Sequence, residues 1–175
     1  IEYFPNQAVF WFYNGRAHFS NKNYDESVQS LEQCRLLSQE NSEMQFLVYA
    51  ALEIRPNDSH ILNNYSYYLS VRKEKLPLAK EMSKKLVQNE PENATYLDTY
   101  GWVLYVLGEY KEAQIYLGKA ANDSNEGTIL EHYGDVLYKM GEEEKAIITW
   151  TKAKKAGGDL TNMIDKKIAD RKLYE

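Results

Sequence analysis

The chain has a single cysteine, Cys34, so no intrachain disulfide can form. One thiol and three scattered histidines, His18, His60 and His132, offer no local ligand spacing, so no metal site is proposed. No apolar run approaches the ~20 residues of a spanning helix, and the first residues lack the charged and apolar stretches of a signal peptide. An excess of basic charge is missing as well. The formal net charge is -5 and the pI is near 5.4, without the footprint of a nucleic-acid binder. Glycine-rich phosphate loops of the form GxxxxGK[ST] and nucleophile elbows do not occur. No segment sustains two-residue alternation with β-branched enrichment, so no strand is assigned. The sequence therefore gives no catalytic residue, cofactor or membrane insertion to propose.

What it does contain is a repeat. Tyr100 to Gly108, YGWVLYVLG, returns 33 residues later as Tyr133 to Gly141, YGDVLYKMG. Ala113 answers Ala146, and Lys119-Ala120 answers Lys152-Ala153. A period of this size marks a stacked array in which each unit covers its apolar face with its neighbours. Apolar residues three and four apart, such as Leu97, Tyr100, Gly101 and Leu104, then Ala113, Tyr116, Leu117 and Ala120, predict helix after helix. Gly108 and Gly141 stand between them, suited to ending a helix in the left-handed conformation.

These residues resemble the tetratricopeptide repeat, a 34-residue helical hairpin with Leu at position 7, Gly at 8, Tyr at 11, Ala at 20 and 27 and Pro at 32. The unit from Ala94 supplies Tyr100, Gly101, Leu104, Ala113 and Ala120, and the unit from Gly127 supplies Tyr133, Gly134, Leu137, Ala146 and Ala153. An earlier unit from Ser59 has Tyr65, Ser66, Leu69, Ala79 and Pro91, with one extra residue in its turn and Pro77 opening its second helix. The first, from Ala8, has Asn14, Gly15, His18, Ser27 and Cys34, where Cys34 reads as a small spacer. The resemblance implies an all-α fold, an α-α superhelix or right-handed solenoid of antiparallel hairpins. More specifically, LNNYSYYLS, DTYGWVLY, ILEHYGDVLYKMG and DKKIADRKLYE look like the C-terminal part of large bacterial tetratricopeptide proteins, which often work at the cell envelope.

One interval breaks the rhythm. Pro5 and Pro56 both take position 32 yet lie 51 residues apart, one and a half periods. We expect residues 1–58 to form a hairpin plus an unpaired second helix, with a segment omitted near 37–41, and Ile1 to follow an earlier repeat of a longer protein. Residues 59–158 should make three hairpins (59–93, 94–126 and 127–158), and 159–175 a capping helix. Leu160, Met163, Ile164, Lys167, Ile168 and Arg171 mark the apolar stripe of that helix. Residues 151 to 175 carry seven Lys or Arg against four acids, a solvated end or a basic tip for an acidic partner.

The resemblance also implies a concave wall of first-helix side chains that holds a segment of another protein. Its residues would be Tyr13, Arg16, Asn63, Asn64, Tyr67, Asp98, Trp102, Tyr105, Glu131, His132, Asp135 and Tyr138. Aromatic rings supply contact area and Asn both donates and accepts. His132 is the histidine best placed to touch a ligand, although a plain surface role competes. Position 5 holds Phe12, Asn63, Asp98 and Glu131 where carboxylate-clamping relatives need Lys or Arg, which points to a neutral or basic ligand. The expected function is a non-catalytic protein-protein interaction scaffold. A self-associating structural solenoid and a regulatory arm of a larger enzyme are the alternatives, and a periplasmic or envelope location is favoured over a cytoplasmic one.

Overall fold

A computed structural model of the chain describes residues 8–37, 58–122 and 124–174. The omitted segment expected near 37–41 and the unpaired second helix lie outside them. The helices are α1 (Ala8–Ser20), α2 (Tyr24–Leu37), α3 (Ser59–Val71), α4 (Leu76–Asn89), α5 (Ala94–Val106), α6 (Tyr110–Ala121), α7 (Gly127–Lys139), α8 (Glu143–Ala156) and α9 (Ile164–Ala169). No strand occurs among the described residues, and no described helix is long and apolar enough to cross a membrane. Contacts divide the chain into two compact units, Ile1–Leu62 and Asn63–Glu175.

The close approach of paired helices explains the glycine of each repeat. A Cβ on Gly15 would lie 2.7 Å from Leu31 Cγ, one on Gly101 2.7 Å from Leu117 Cγ, and one on Gly134 2.4 Å from Trp150 Cδ1. Real side chains do not tolerate such distances, so these positions accept only glycine while the facing residue keeps its size. Ser66 takes the same position in α3 and is fully buried. In the first unit α1 pairs with α2, and Ser27 donates to the Gly15 carbonyl at 2.8 Å.

In the second unit α5 pairs with α6 and α7 with α8, while α4 packs on α5, α6 on α7 and α9 on α8. The two hairpins turn identically. Gly108 and Gly141 both have φ near +80, and the following amides, Glu109 and Glu142, donate to Leu104 and Leu137 five residues back. Lys22 and Lys73 hold the corresponding left-handed turn conformation in the earlier hairpins, at φ 62 and 56, although neither is glycine. Asn93 caps α5, its side chain accepting from the Tyr96 amide, and Pro77 sits in the opening of α4.

The capping helix is shorter than expected. It spans six residues because Arg171 adopts φ 52 and the Lys172 amide closes back on the Lys167 carbonyl. Ile164 joins the last core with Leu130, Leu137, Ala146, Trp150 and Ala153, and Leu160, Ile168 and Leu173 pack around it. Met163 and Arg171, expected on that apolar stripe, are exposed instead.

Two substitutions test this packing. Gly134→Ala should lower the unfolding free energy by about 1–3 kcal/mol, the typical cost of overpacking. Lys73→Gly should raise it by about 1 kcal/mol by relieving the left-handed strain. Denaturant unfolding of both variants measures each effect; a neutral Gly134→Ala would disprove the close approach.

Candidate functional site

The first helices of the second unit set their polar residues facing neighbouring elements. His132 on α7 lies beside Asp98 on α5, with Nδ1 at 3.0 and 3.1 Å from the two carboxylate oxygens. The ring is sandwiched by aromatics: Trp102 stacks on it at a centroid distance of 4.1 Å, and Tyr67 approaches to 6.0 Å. Tyr105 stacks on the other side of Trp102 at 4.8 Å. His132 is 6% exposed, so it is neither a surface histidine nor a free ligand-touching one. Aromatic faces and a carboxylate together favour a charged imidazole.

On the same helix Glu131, next to His132, and Asp135, three residues after it, meet α9 and the segment before it. Lys167 Nζ donates to Glu131 Oε1 at 2.8 Å and to Asp135 Oδ1 and Oδ2 at 2.7 and 2.8 Å. Trp150 Nε1 also donates to Asp135 Oδ1, at 2.8 Å, and the Thr161 amide and hydroxyl both donate to Glu131. Lys167 and Glu131 are each 1% exposed. Three residues expected to face a partner, Asp98, Glu131 and Asp135, are instead buried and matched by cations of the same chain. An uncompensated carboxylate at these positions would be costly to bury, and this is the physical reason for the pairing.

The remaining expected residues divide. Tyr13 is exposed at 60%, and the Arg16 side chain lies outside the described residues. Asn64 is exposed and accepts from Asn63 Nδ2 at 3.3 Å, whereas Asn63 itself is buried rather than solvated. Tyr67 and Trp102 are half-buried, and Tyr105 is buried. Tyr138 packs on Trp150 of its own hairpin at 5.7 Å, away from the neighbouring first helix. Two buried polar atoms on this wall, Asn63 Oδ1 and Trp102 Nε1, have no hydrogen-bond partner. Lys167 and Trp150 were not expected to take part in the site.

Part of the basic end is engaged internally. Lys154 pairs with Asp165 at 2.7 Å and Arg171 with Glu144, in addition to the buried Lys167. A docking tip made of these side chains finds its charges already engaged.

No sequence-family model matches the chain, and no curated protein matches it significantly. Solved structures do. PilW, a widely conserved type IV pilus biogenesis factor, is similar over 94% of this chain and 85% of its own, at 16% identity and TM-score 0.61. TTC0263, a thermophilic TPR protein of Thermus thermophilus, is similar over 94% and 98%, at 15% identity and TM-score 0.60. Yeast Tom70 is similar over 95% of this chain but 39% of its own, at 14% identity and TM-score 0.60. These likenesses establish the architecture: the chain has the tetratricopeptide-repeat fold, an all-α array of antiparallel helical hairpins.

Burial opposes the charged imidazole of His132, yet the Asp98 carboxylate, helped by Asp135 and Glu131, holds it above the ordinary histidine value of 6.5. Burial likewise opposes ionisation of Glu131, but the hydrogen bonds from Lys167 and Thr161 prevail and keep it below the usual range. Asp135 goes the other way. Burial, joined by the negative charge of Glu131, pushes it up against the pull of Lys167 and His132. For His132 the folded state binds the proton more tightly than the unfolded chain. Its stabilisation is therefore complete below 6.5 and is lost as pH rises through the higher folded value. Unfolding free energy should fall over that window, and Asp98→Asn should flatten the fall. A flat profile in the unaltered chain would contradict the pairing.

Proposed function

We propose that the chain is a protein-protein interaction scaffold that grips a polypeptide along its first-helix wall and performs no chemistry of its own. The observation carrying this reading is the pair of unpartnered polar atoms on that wall, the acceptor Asn63 Oδ1 and the donor Trp102 Nε1. A buried polar atom without a partner costs on the order of 1–3 kcal/mol, so a ligand that supplies the partner recovers that amount. A peptide main chain offers one N–H and one C=O per residue, the complement of these two atoms. Both are shielded in the free chain, so the side chains must turn toward an arriving segment. The acids Asp98, Glu131 and Asp135 of the wall are already paired, which favours an uncharged extended segment held by backbone hydrogen bonds and by the rings of Tyr67 and Trp102.

PilW is named as a type IV pilus biogenesis factor, and that likeness supports the reading that this chain works at the cell envelope. The alternative reading is self-association through a basic end, although Lys154, Lys167 and Arg171 of that end are held in ion pairs.

The test starts with the partner recovered by pull-down with the intact protein. Asn63→Ala combined with Trp102→Phe should weaken its capture at least tenfold, about 1.4 kcal/mol, while melting stays within a few degrees. Capture should vary little between low and high salt, because Asp98, Glu131 and Asp135 of the wall are already paired. Unchanged capture with a large loss of stability would return both residues to packing.

A further inference from the structure

We propose that the final hairpin carries a second binding site, a socket for the ammonium group of a lysine presented on an amphipathic helix, which α9 fills as a displaceable plug. The socket is built. Glu131 and Asp135 stand one turn apart on α7, and the Trp150 ring lies 5.7 Å from the Lys167 ammonium. Trp150 Nε1 donates to Asp135 Oδ1 at 2.8 Å, so that carboxylate is held whether or not an ammonium is present. Three short donations from Nζ use the three protons of an ammonium, while the planar fork of an arginine does not match this convergent set.

The occupant is identified by what now sits there. Ile164, Lys167 and Ile168 form one face of α9, with Ile164 in the last core and Lys167 sealed beside it. A helix carrying an aliphatic residue three before a lysine and another just after it reproduces that face. Glu131 Oε1 and both Asp135 oxygens converge on one point as acceptors, which favours the three donors of such a lysine over an apolar side chain.

The plug is poised to leave. α9 has six residues, far below the ~12–15 at which a helix is stable alone, so its helicity depends on docking. Its tether starts at Gly157 and Gly158, with φ 77 and 97 and open space where a Cβ would be. A cap meant only to seal the end gains at least as much from a hydrocarbon at position 167, because buried ion pairs seldom outperform apolar replacements of similar volume. What a buried lysine adds is selection of the partner side chain. Asn63 and Trp102 take no part in this socket, so it stands or falls independently of the first-helix wall.

The probe is a fluorescent peptide with the sequence of residues 159–174, added to the full chain. The Lys167→Ala chain, its own plug disarmed and its socket intact, should bind the peptide at least tenfold more tightly than the unaltered chain does. A peptide carrying Lys167→Met should not bind it, and adding Glu131→Gln to the Lys167→Ala chain should abolish capture. A folded Lys167→Ala chain that ignores the peptide, or binds both peptides alike, overturns the proposal. If that variant does not fold, hydrogen exchange on the unaltered chain decides: amides of α9 must exchange by a separate opening before those of α7 and α8. Exchange of all three in one global step also overturns it.

Discussion

One small residue per hairpin, against which a large side chain of the partner helix packs, sets the rest of this structure. With Gly101 against Leu117 and Gly134 against Trp150, the two helices of a hairpin sit too close for any Cβ between them. That closeness fixes the rotation of each first helix about its axis, and with it which residues turn toward the next hairpin. Asp98 consequently meets His132, one repeat later, and Glu131 with Asp135 meets the helix that follows the final hairpin. There Lys167 supplies the cation that balances those two acids.

The electrostatic consequence is a wall whose acids are consumed from within. Asp98 and His132 link α5 to α7, and Glu131 and Asp135 link α7 to α9. Such buried networks contribute register and selectivity more than net stability, since most of the Coulomb gain offsets desolvation. Beside these paired charges, Tyr67 and Trp102 stay half-buried and Asn64 exposed.

The hairpins were legible in the sequence because packing writes the same sizes at the same period. Gly at the contact, two Ala on the second helix and Gly at the turn recur 33 residues apart in the two clearest units. The site was less legible. Its decisive contacts join residues 32 to 36 apart, as in Lys167 with Asp135 and with Glu131, and no local spacing announces them. Each member alone reads as a solvated charge. One signal did exist: Lys167 fell between Ile164 and Ile168 on the apolar stripe of the end helix, where a cation needs buried acids to face. His132 misled for a related reason, since a histidine beside a glutamate looks exposed until the aromatic rings of two earlier repeats are placed around it.

Lys167 and Asp135 form the coupled buried pair that seals the end of the stack, and a double-mutant cycle measures that coupling directly. Unfolding free energies of the unaltered chain, Lys167→Met, Asp135→Asn and the double variant should give a coupling of about 1–3 kcal/mol, with the double variant less damaged than the sum of the singles. Losses that add to within a few tenths of a kcal/mol would show the two side chains to be independent and would contradict the sealed end of the stack.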